Sequence, residues 1–109
     1  MDDLQEKRIA RNEARFRELN DAIARGVERF RAGSGDGTFE AVCECAIADC
    51  LEMLDLDFDT YSHVRSDATW FVVRPDHVVT AVEQPVEQHD AYWIIEKRGL
   101  GAKVAADLA

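Results

Sequence analysis

Three cysteines lie close together in the chain, at Cys43, Cys45 and Cys50, and the sequence contains no others. Structural zinc takes four Cys or His ligands in a tetrahedron, with zinc–sulfur bonds of about 2.3 Å and neighbouring sulfurs roughly 3.8 Å apart. On a strand, Cys43 and Cys45 would point to the same face, and a turn after them can return Cys50 to that face. The cluster therefore predicts a metal centre that still needs a fourth ligand.

His77 is the histidine that we expect to complete this centre. It follows the turn at 74–76, which comes directly after the apolar run 70–73 and contains a proline. The fixed backbone angle of proline makes such a turn well suited to aiming a side chain. In contrast, His63 falls on a predicted helix and His89 at a predicted hairpin tip, where a side chain can be solvated. The predicted Cys3His zinc site consists of Cys43, Cys45, Cys50 and His77.

Other interpretations of the cysteines remain open. Buried reduced thiols are common in the cytosol, and C-x-C-x4-C is less specific than a doubled C-x2-C pattern. An iron–sulfur cluster usually takes four cysteines. A catalytic zinc keeps one position open for water, whereas three thiolates and an imidazole would fill all four. We therefore expect a structural zinc; the alternative is a small enzyme or redox sensor that uses Cys50 or a labile metal site.

The cluster and its surroundings also carry a family resemblance. The pattern is Cys-x-Cys-x4-Cys followed by Pro-x-His, and it is accompanied by residues 12–18, Phe39, 56–61, 64–65, 71–73, Tyr92 and 95–97. In these segments the chain resembles a family of small, uncharacterised actinobacterial proteins, and the resemblance covers most of its length. It implies a cytoplasmic protein with a Cys3His-type cluster and brings no activity with it. The chain departs from the family at Asp76, where the family more often has glycine.

The length and net charge of the chain argue against several classes of function. A chain of 109 residues makes one domain, and its net charge of −9 argues against binding to nucleic acids or to anionic membrane surfaces. No apolar run is long enough to span a membrane, and the first thirty residues lack the apolar core of a signal peptide. An odd number of cysteines without a signal peptide is typical of a cytoplasmic protein.

Residues 2–32 are predicted to form a long helix with a narrow apolar stripe. Apolar residues recur every seven positions, with two more between them: Ile9, Phe16, Leu19, Ile23, Val27 and Phe30. We expect the C-terminal half of the stripe to pack on the rest of the protein. The N-terminal half should then be left over to bind another protein or a second copy of the chain. The predicted partner-binding residues are Ile9, Phe16, Leu19 and Ile23.

The rest of the chain predicts a small α+β domain. A glycine-rich linker at 33–37 separates helix 1–32 from a zinc-stapled domain at 38–98, and 99–109 is a weakly patterned tail. A domain this small often needs a metal or another cross-link for stability. We expect a small antiparallel sheet of four to five strands with one short helix. The predicted strands are 38–45, 51–56, 70–73, 78–87 and 92–97, and the short helix is 58–66.

Overall fold

The computed structural model describes residues 2–30, 38–45, 50 and 52–108, with the backbone alone described at 27–30. The elements, in chain order, are α1 (Asp3–Phe30), β1 (Thr38–Val42), β2 (Met53–Asp57), α2 (Phe58–Val64), β3 (Trp70–Val73), β4 (Glu83–Gln88), β5 (Trp93–Lys97) and α3 (Gly99–Asp107). The predicted α+β class is confirmed. The predicted linker at 33–37 lies outside the described residues.

The five strands form two antiparallel sheets. β1 pairs with β2 in a two-stranded sheet, and the second sheet has the order β3-β5-β4. Along β1 and β2, buried and exposed residues alternate, so that Phe39 and Ala41 lie opposite Leu56 and Leu54 on the core face. This is the pattern of a sheet with one buried face. A bulge between Pro85 and Glu87 interrupts β4, where proline cannot donate to the ladder.

β3 is not the central strand that its apolar sequence suggests. β5 occupies the centre of the three-stranded sheet, and β3 lies at one side of it. The free side of β3 is covered by the segment that follows β1, since the Glu44 N–H donates to the Val72 carbonyl oxygen at 2.9 Å. Phe71, Val72 and Val73 are therefore fully buried although β5 is the only strand that pairs with β3 in the described sheet.

α2 closes the end of the first sheet. Asp57 caps the helix, because its side chain accepts a hydrogen bond from the Thr60 N–H at 2.6 Å. The helix then buries Tyr61 and Val64 against β1 and β2. Phe39 packs edge-on against Tyr61, with ring centroids 5.4 Å apart. These contacts form the first of two apolar clusters in the core.

α1 buries a polar face, which differs from the prediction. Its fully or nearly fully buried side chains recur every three or four residues: Ala10, Glu13, Ala14, Arg17, Asn20 and Ala24. The predicted stripe lies on the flank of that face. Ile9, Phe16 and Ile23 are half-buried and Leu19 is 46% exposed. The side chains of Val27 and Phe30 lie outside the described part of the chain.

The last described residues form a helix where the sequence suggests only a tail. α3 runs from Gly99 to Asp107 and packs along α1. It begins at Gly99, whose φ of +58° suits glycine, and the Gly101 N–H donates to the Glu6 side chain on α1. Consequently α3 covers the N-terminal half of α1 beside Ala10, on the side away from the predicted partner-binding residues.

Candidate metal centre

The structure brings Cys43, Cys45, Cys50 and His77 together. One candidate ligand atom from each lies within 4.8 Å of all the others, and no disulfide joins the three cysteines. His77 Nδ1 is 3.6 Å from Cys43 Sγ and 3.5 Å from Cys50 Sγ. With zinc–sulfur bonds of about 2.3 Å and zinc–nitrogen bonds of about 2.0–2.1 Å, a tetrahedral edge between sulfur and nitrogen measures roughly 3.6 Å. The four residues could therefore hold a metal ion.

The cysteine segment crosses from one sheet to the other. The Cys43 N–H still donates to the Glu52 carbonyl oxygen at 2.9 Å, which extends the pairing of β1 with β2. One residue later, the Glu44 N–H bonds to Val72 on β3. The side chains of Cys43 and Cys45 are 1% and 2% exposed and pack on the second apolar cluster with Phe71 and Ile95. The candidate centre thus lies at the junction of the two sheets.

His77 is held by the turn that follows β3. The His77 N–H donates to the Arg74 carbonyl oxygen at 3.0 Å, and the Arg74 N–H donates to Cys43 Sγ at 3.2 Å. Asp76 has a φ of +70°, a left-handed conformation that glycine adopts most easily and that Asp tolerates better than most other residues. The Asp at this position is therefore compatible with the turn.

The local environment favours protonated thiols when no metal is bound. A hydrogen bond with Cys45 and then burial raise the pKa of the Cys43 thiol, although the Arg74 N–H opposes the shift. Burial is also the main cause that raises the pKa of the Cys50 thiol. A metal must displace these protons, so metal affinity should fall as the pH falls. A raised pKa also makes these thiols poor nucleophiles.

The other two histidines lie away from the cysteines. His63 Nε2 pairs with Glu87, and His89 Nε2 lies 2.9 Å from the other oxygen of the same carboxylate. Both histidine side chains are nearly half-exposed. Among the three histidines, only His77 belongs to the metal-competent group.

Two residues behind the candidate centre were not expected from the sequence. The alternation of β1 places Glu44 on the solvent face, yet its side chain is fully buried. Its carboxylate accepts from the Val72 N–H at 2.9 Å and from Asn20 Nδ2 at 2.8 Å. Burial raises the pKa of Glu44 to about 7, and these two hydrogen bonds oppose the shift. A lone charged residue between two cysteines offered no pattern that could have revealed this role.

Asn20 supplies the edge pairing that β1 lacks. Its Oδ1 accepts from the Val42 N–H at 2.7 Å, while its Nδ2 donates to the Val42 carbonyl oxygen at 2.8 Å. A single side chain therefore satisfies both backbone groups of the residue before Cys43, as a neighbouring strand would. Together, Asn20 and Glu44 fix α1 against the segment that carries the cysteines.

We predict that Asn20→Ala lowers the free energy of unfolding by about 2–4 kcal/mol, because the Val42 backbone and Glu44 lose buried partners. Urea unfolding of the metal-loaded protein, followed by circular dichroism, measures the change. Asn12→Ala is the matched control, since Asn12 is exposed on the same helix and should change stability by less than about 0.5 kcal/mol. Equal effects of the two substitutions would contradict the role of Asn20.

No helix within the described part of the chain is both long and apolar enough to cross a membrane. Comparison of the chain with protein-family models, with curated proteins and with solved structures found no match. The function is therefore argued from the candidate centre and its surroundings.

Proposed function

We propose that the protein is a zinc-binding interaction or regulatory module of the cytoplasm, in which the zinc is structural. The observation that carries this proposal is the convergence of three thiols and one imidazole within 4.8 Å, with two sulfur–nitrogen distances of 3.5 and 3.6 Å. Thiolate-rich sites with no open position are typical of structural zinc. Membership of the actinobacterial family that the sequence resembles is part of the same proposal.

The surroundings of the cluster suit a thiolate-bound metal. The Arg74 N–H points at Cys43 Sγ, and hydrogen bonds of this kind stabilise the negative charge that sulfur carries when it binds zinc. Cys43 and Cys45 are buried in an apolar cluster, which excludes water from their side of the ion. These features support a role in holding the fold.

Metal content tests the zinc assignment. Protein purified without added metal should contain one equivalent of zinc by elemental analysis, and His77→Ala should lose most of it. His89→Ala is the matched control, since that histidine pairs with Glu87 outside the cluster and should leave the content unchanged. Full zinc content in His77→Ala, or content far below one equivalent in the parent protein, would overturn the assignment.

We further propose that α1 provides the partner-binding surface. Phe16 and Ile23 are half-buried beside the packed face of the helix, and Leu19 between them is 46% exposed. Half-exposed apolar side chains in a row are characteristic of interfaces. Ile9 extends the row by two turns toward the N-terminus. The proposed partner is another protein or a second copy of this chain.

The charges beside this row favour an acidic partner. Arg8 and Arg15 are exposed on the same helix, and neither takes part in an ion pair among the described residues. Arg15 precedes Leu19 by four residues, which places both on one side of α1. In a chain with a net charge of −9, this local positive charge is unusual. It would complement carboxylates on a partner surface or on the acidic strands of a second copy.

A charge placed in the row tests the surface. Phe16→Glu should abolish self-association in sedimentation equilibrium, or abolish capture of a partner identified by mass spectrometry, without changing zinc content. Arg25→Glu adds negative charge on the opposite side of α1 and should preserve the interaction. A monomer that binds nothing, or an interaction that survives Phe16→Glu, would remove α1 from the proposal while leaving the zinc centre standing.

One observation favours the alternative of a thiol-based function. Cys50 is only partly buried, whereas Cys43 and Cys45 are almost completely buried. An accessible ligand thiolate can react with oxidants or alkylating agents. Rapid modification of Cys50 in the zinc-loaded protein by iodoacetamide would favour the redox alternative. Modification that occurs only after chelation would favour the structural module.

A further inference from the structure

A second cluster of charged groups is buried between α1, β4 and β5. It joins Glu13 on α1, Glu83 at the start of β4 and Lys97 at the end of β5, and all three side chains are 0% exposed. Glu83 and Lys97 face each other across the β4–β5 ladder, where Lys97 Nζ lies 2.7 Å from Glu83 Oε2. Lys97 Nζ also pairs with Glu13 Oε1.

The charges of this cluster do not balance when all three groups are ionised. Two carboxylates and one ammonium leave a net charge of −1 in a place that water does not reach, and burying an uncompensated charge is costly. The two carboxyl groups differ in their hydrogen bonds. Glu83 Oε1 accepts from the Val79 N–H at 2.8 Å, whereas no backbone N–H in the described chain donates to either oxygen of Glu13. One added proton, carried by Glu13, makes the cluster neutral.

We infer that Glu13, Glu83 and Lys97 form a buried proton-binding site, which holds one proton on Glu13 and keeps α1 docked on the sheet. Glu13 is the only member of the cluster on α1. A proton at that position removes the repulsion between the two carboxylates across the interface. Loss of the proton would place a second negative charge between α1 and β4 and weaken the attachment of the helix.

The charged groups around Glu13 are consistent with this assignment. Burial, followed by the hydrogen bond and the charge of Glu83, raises the pKa of Glu13 well above its ordinary value of 4.5, and Lys97 partly opposes the shift. On α3, Gly101 lies beside the Lys97 side chain, and the Ala105 carbonyl oxygen accepts from Arg17. On α1, the Glu6 side chain accepts from the Gly101 N–H. Arg17 donates to the carbonyl oxygens of Ala68 and Ala105.

The direction of the pH effect follows from the raised pKa. The folded protein keeps a proton on Glu13 over a range in which the unfolded chain has lost it. The stabilisation is therefore complete below the ordinary pKa of 4.5 and declines as the pH rises through the folded pKa. Within that window, one linked proton reduces the folding equilibrium constant by about tenfold per pH unit.

Carbon-13 NMR of the glutamate carboxyl groups in full-length, metal-loaded protein tests the site directly. We expect the carboxyl resonances of Glu13 and Glu44 to titrate above those of the other glutamates, and one of these two to disappear in Glu13→Gln. Glu18→Gln, a change at an exposed position on the same helix, should leave the Glu13 resonance unchanged. A Glu13 resonance that titrates with the exposed glutamates would overturn the proposal.

Stability measurements provide the second readout. Glu13→Gln keeps the shape of the protonated side chain and cannot lose a proton. The ratio of its folding constant to that of the parent protein should therefore rise by about tenfold per pH unit within the window. Taking the ratio removes the contribution of Glu44, which the two proteins share. If Glu13→Gln does not fold, Glu83→Gln replaces it and should shift the Glu13 resonance toward ordinary titration; an unchanged titration or a flat ratio would refute the site.

Discussion

Removal of the metal by a strong chelator should lower the melting temperature of the protein sharply or unfold it. Structural zinc contributes about 10–16 kcal/mol in small zinc-finger peptides, while a whole domain has a stability of only about 5–15 kcal/mol. The expected effect therefore approaches the full stability of the fold. Thermal melting followed by circular dichroism, with and without chelator, measures it.

The position of the centre explains why the effect should be global. The two sheets share no strand in the described residues, and the cysteine segment is the place where the backbone of one bonds to the other. The ligands come from the segment that follows β1, from Cys50 three residues before β2, and from the turn after β3. Without the metal, these segments would have to meet through protonated thiols and a few backbone hydrogen bonds.

Readdition of zinc should restore the melting temperature, which distinguishes loss of the metal from irreversible damage. His77→Ala should reproduce much of the drop in melting temperature without chelator. His63→Ala should not, because His63 pairs with Glu87 and lies outside the group of candidate ligands. An apo-protein that melts at the same temperature as the zinc-loaded protein would show that the ion does not hold the fold together.

Lys97→Met should be the most damaging single substitution outside the metal centre. It leaves Glu13 and Glu83 buried at 0% side-chain exposure with no cation between them. Breaking a buried ion cluster by removing one partner typically costs about 3–5 kcal/mol, because the remaining charge stays uncompensated. Urea unfolding at neutral pH measures the loss.

Two further variants serve as comparisons for Lys97→Met. Lys103→Met makes the same change at an exposed lysine and should alter stability by less than about 0.5 kcal/mol. Replacing all three members of the cluster by methionine should recover much of the stability, since apolar groups of similar volume need no compensation. A Lys97→Met protein as stable as Lys103→Met would show that the buried charges contribute little.

The metal cluster was predictable because its chemistry imposes a strict geometric requirement. Three thiols and an imidazole can share one ion only if the chain brings them together, so residue type and spacing were sufficient to nominate His77 over His63 and His89. The α+β class followed from alternating apolar residues in β1 and β2 and from the long helical segment. These features depend on local patterns that a sequence displays directly.

The packing of α1 was not predictable in the same way. Glu13, Arg17 and Asn20 are residue types that are mostly exposed in proteins, and their burial is compensated by partners far away in the sequence. Arg17 donates to the Ala105 carbonyl oxygen and lies 4.7 Å from the centroid of the Phe71 ring. No periodicity within the helix reveals such partners. The sequence therefore predicted packing only for the C-terminal half of the apolar stripe and did not reveal the polar face that α1 buries along its length.

The sequence did not predict α3 because the local residue types do not favour a helix. Gly99 and Gly101 lower the intrinsic helix propensity of the segment, and its small side chains show no strong amphipathic pattern. The helix is stabilised by contact with α1 instead, where Ala105 is fully buried. The same small residues that weaken the local pattern allow the two helices to approach closely.

The distance along the chain between α1 and its partners sets an order of events during synthesis. Arg17 donates a hydrogen bond to a residue 88 positions later in the chain. Lys97, which pairs with Glu13, also lies near the C-terminal end of the described chain. At about 5–20 residues per second, the ribosome needs roughly 4–18 s to reach Ala105 after Arg17 has been translated. During that interval the helix carries its future buried charges in water, where they are well solvated. A polar docking face thus protects the nascent helix from premature aggregation, which a fully apolar face of the same length would invite.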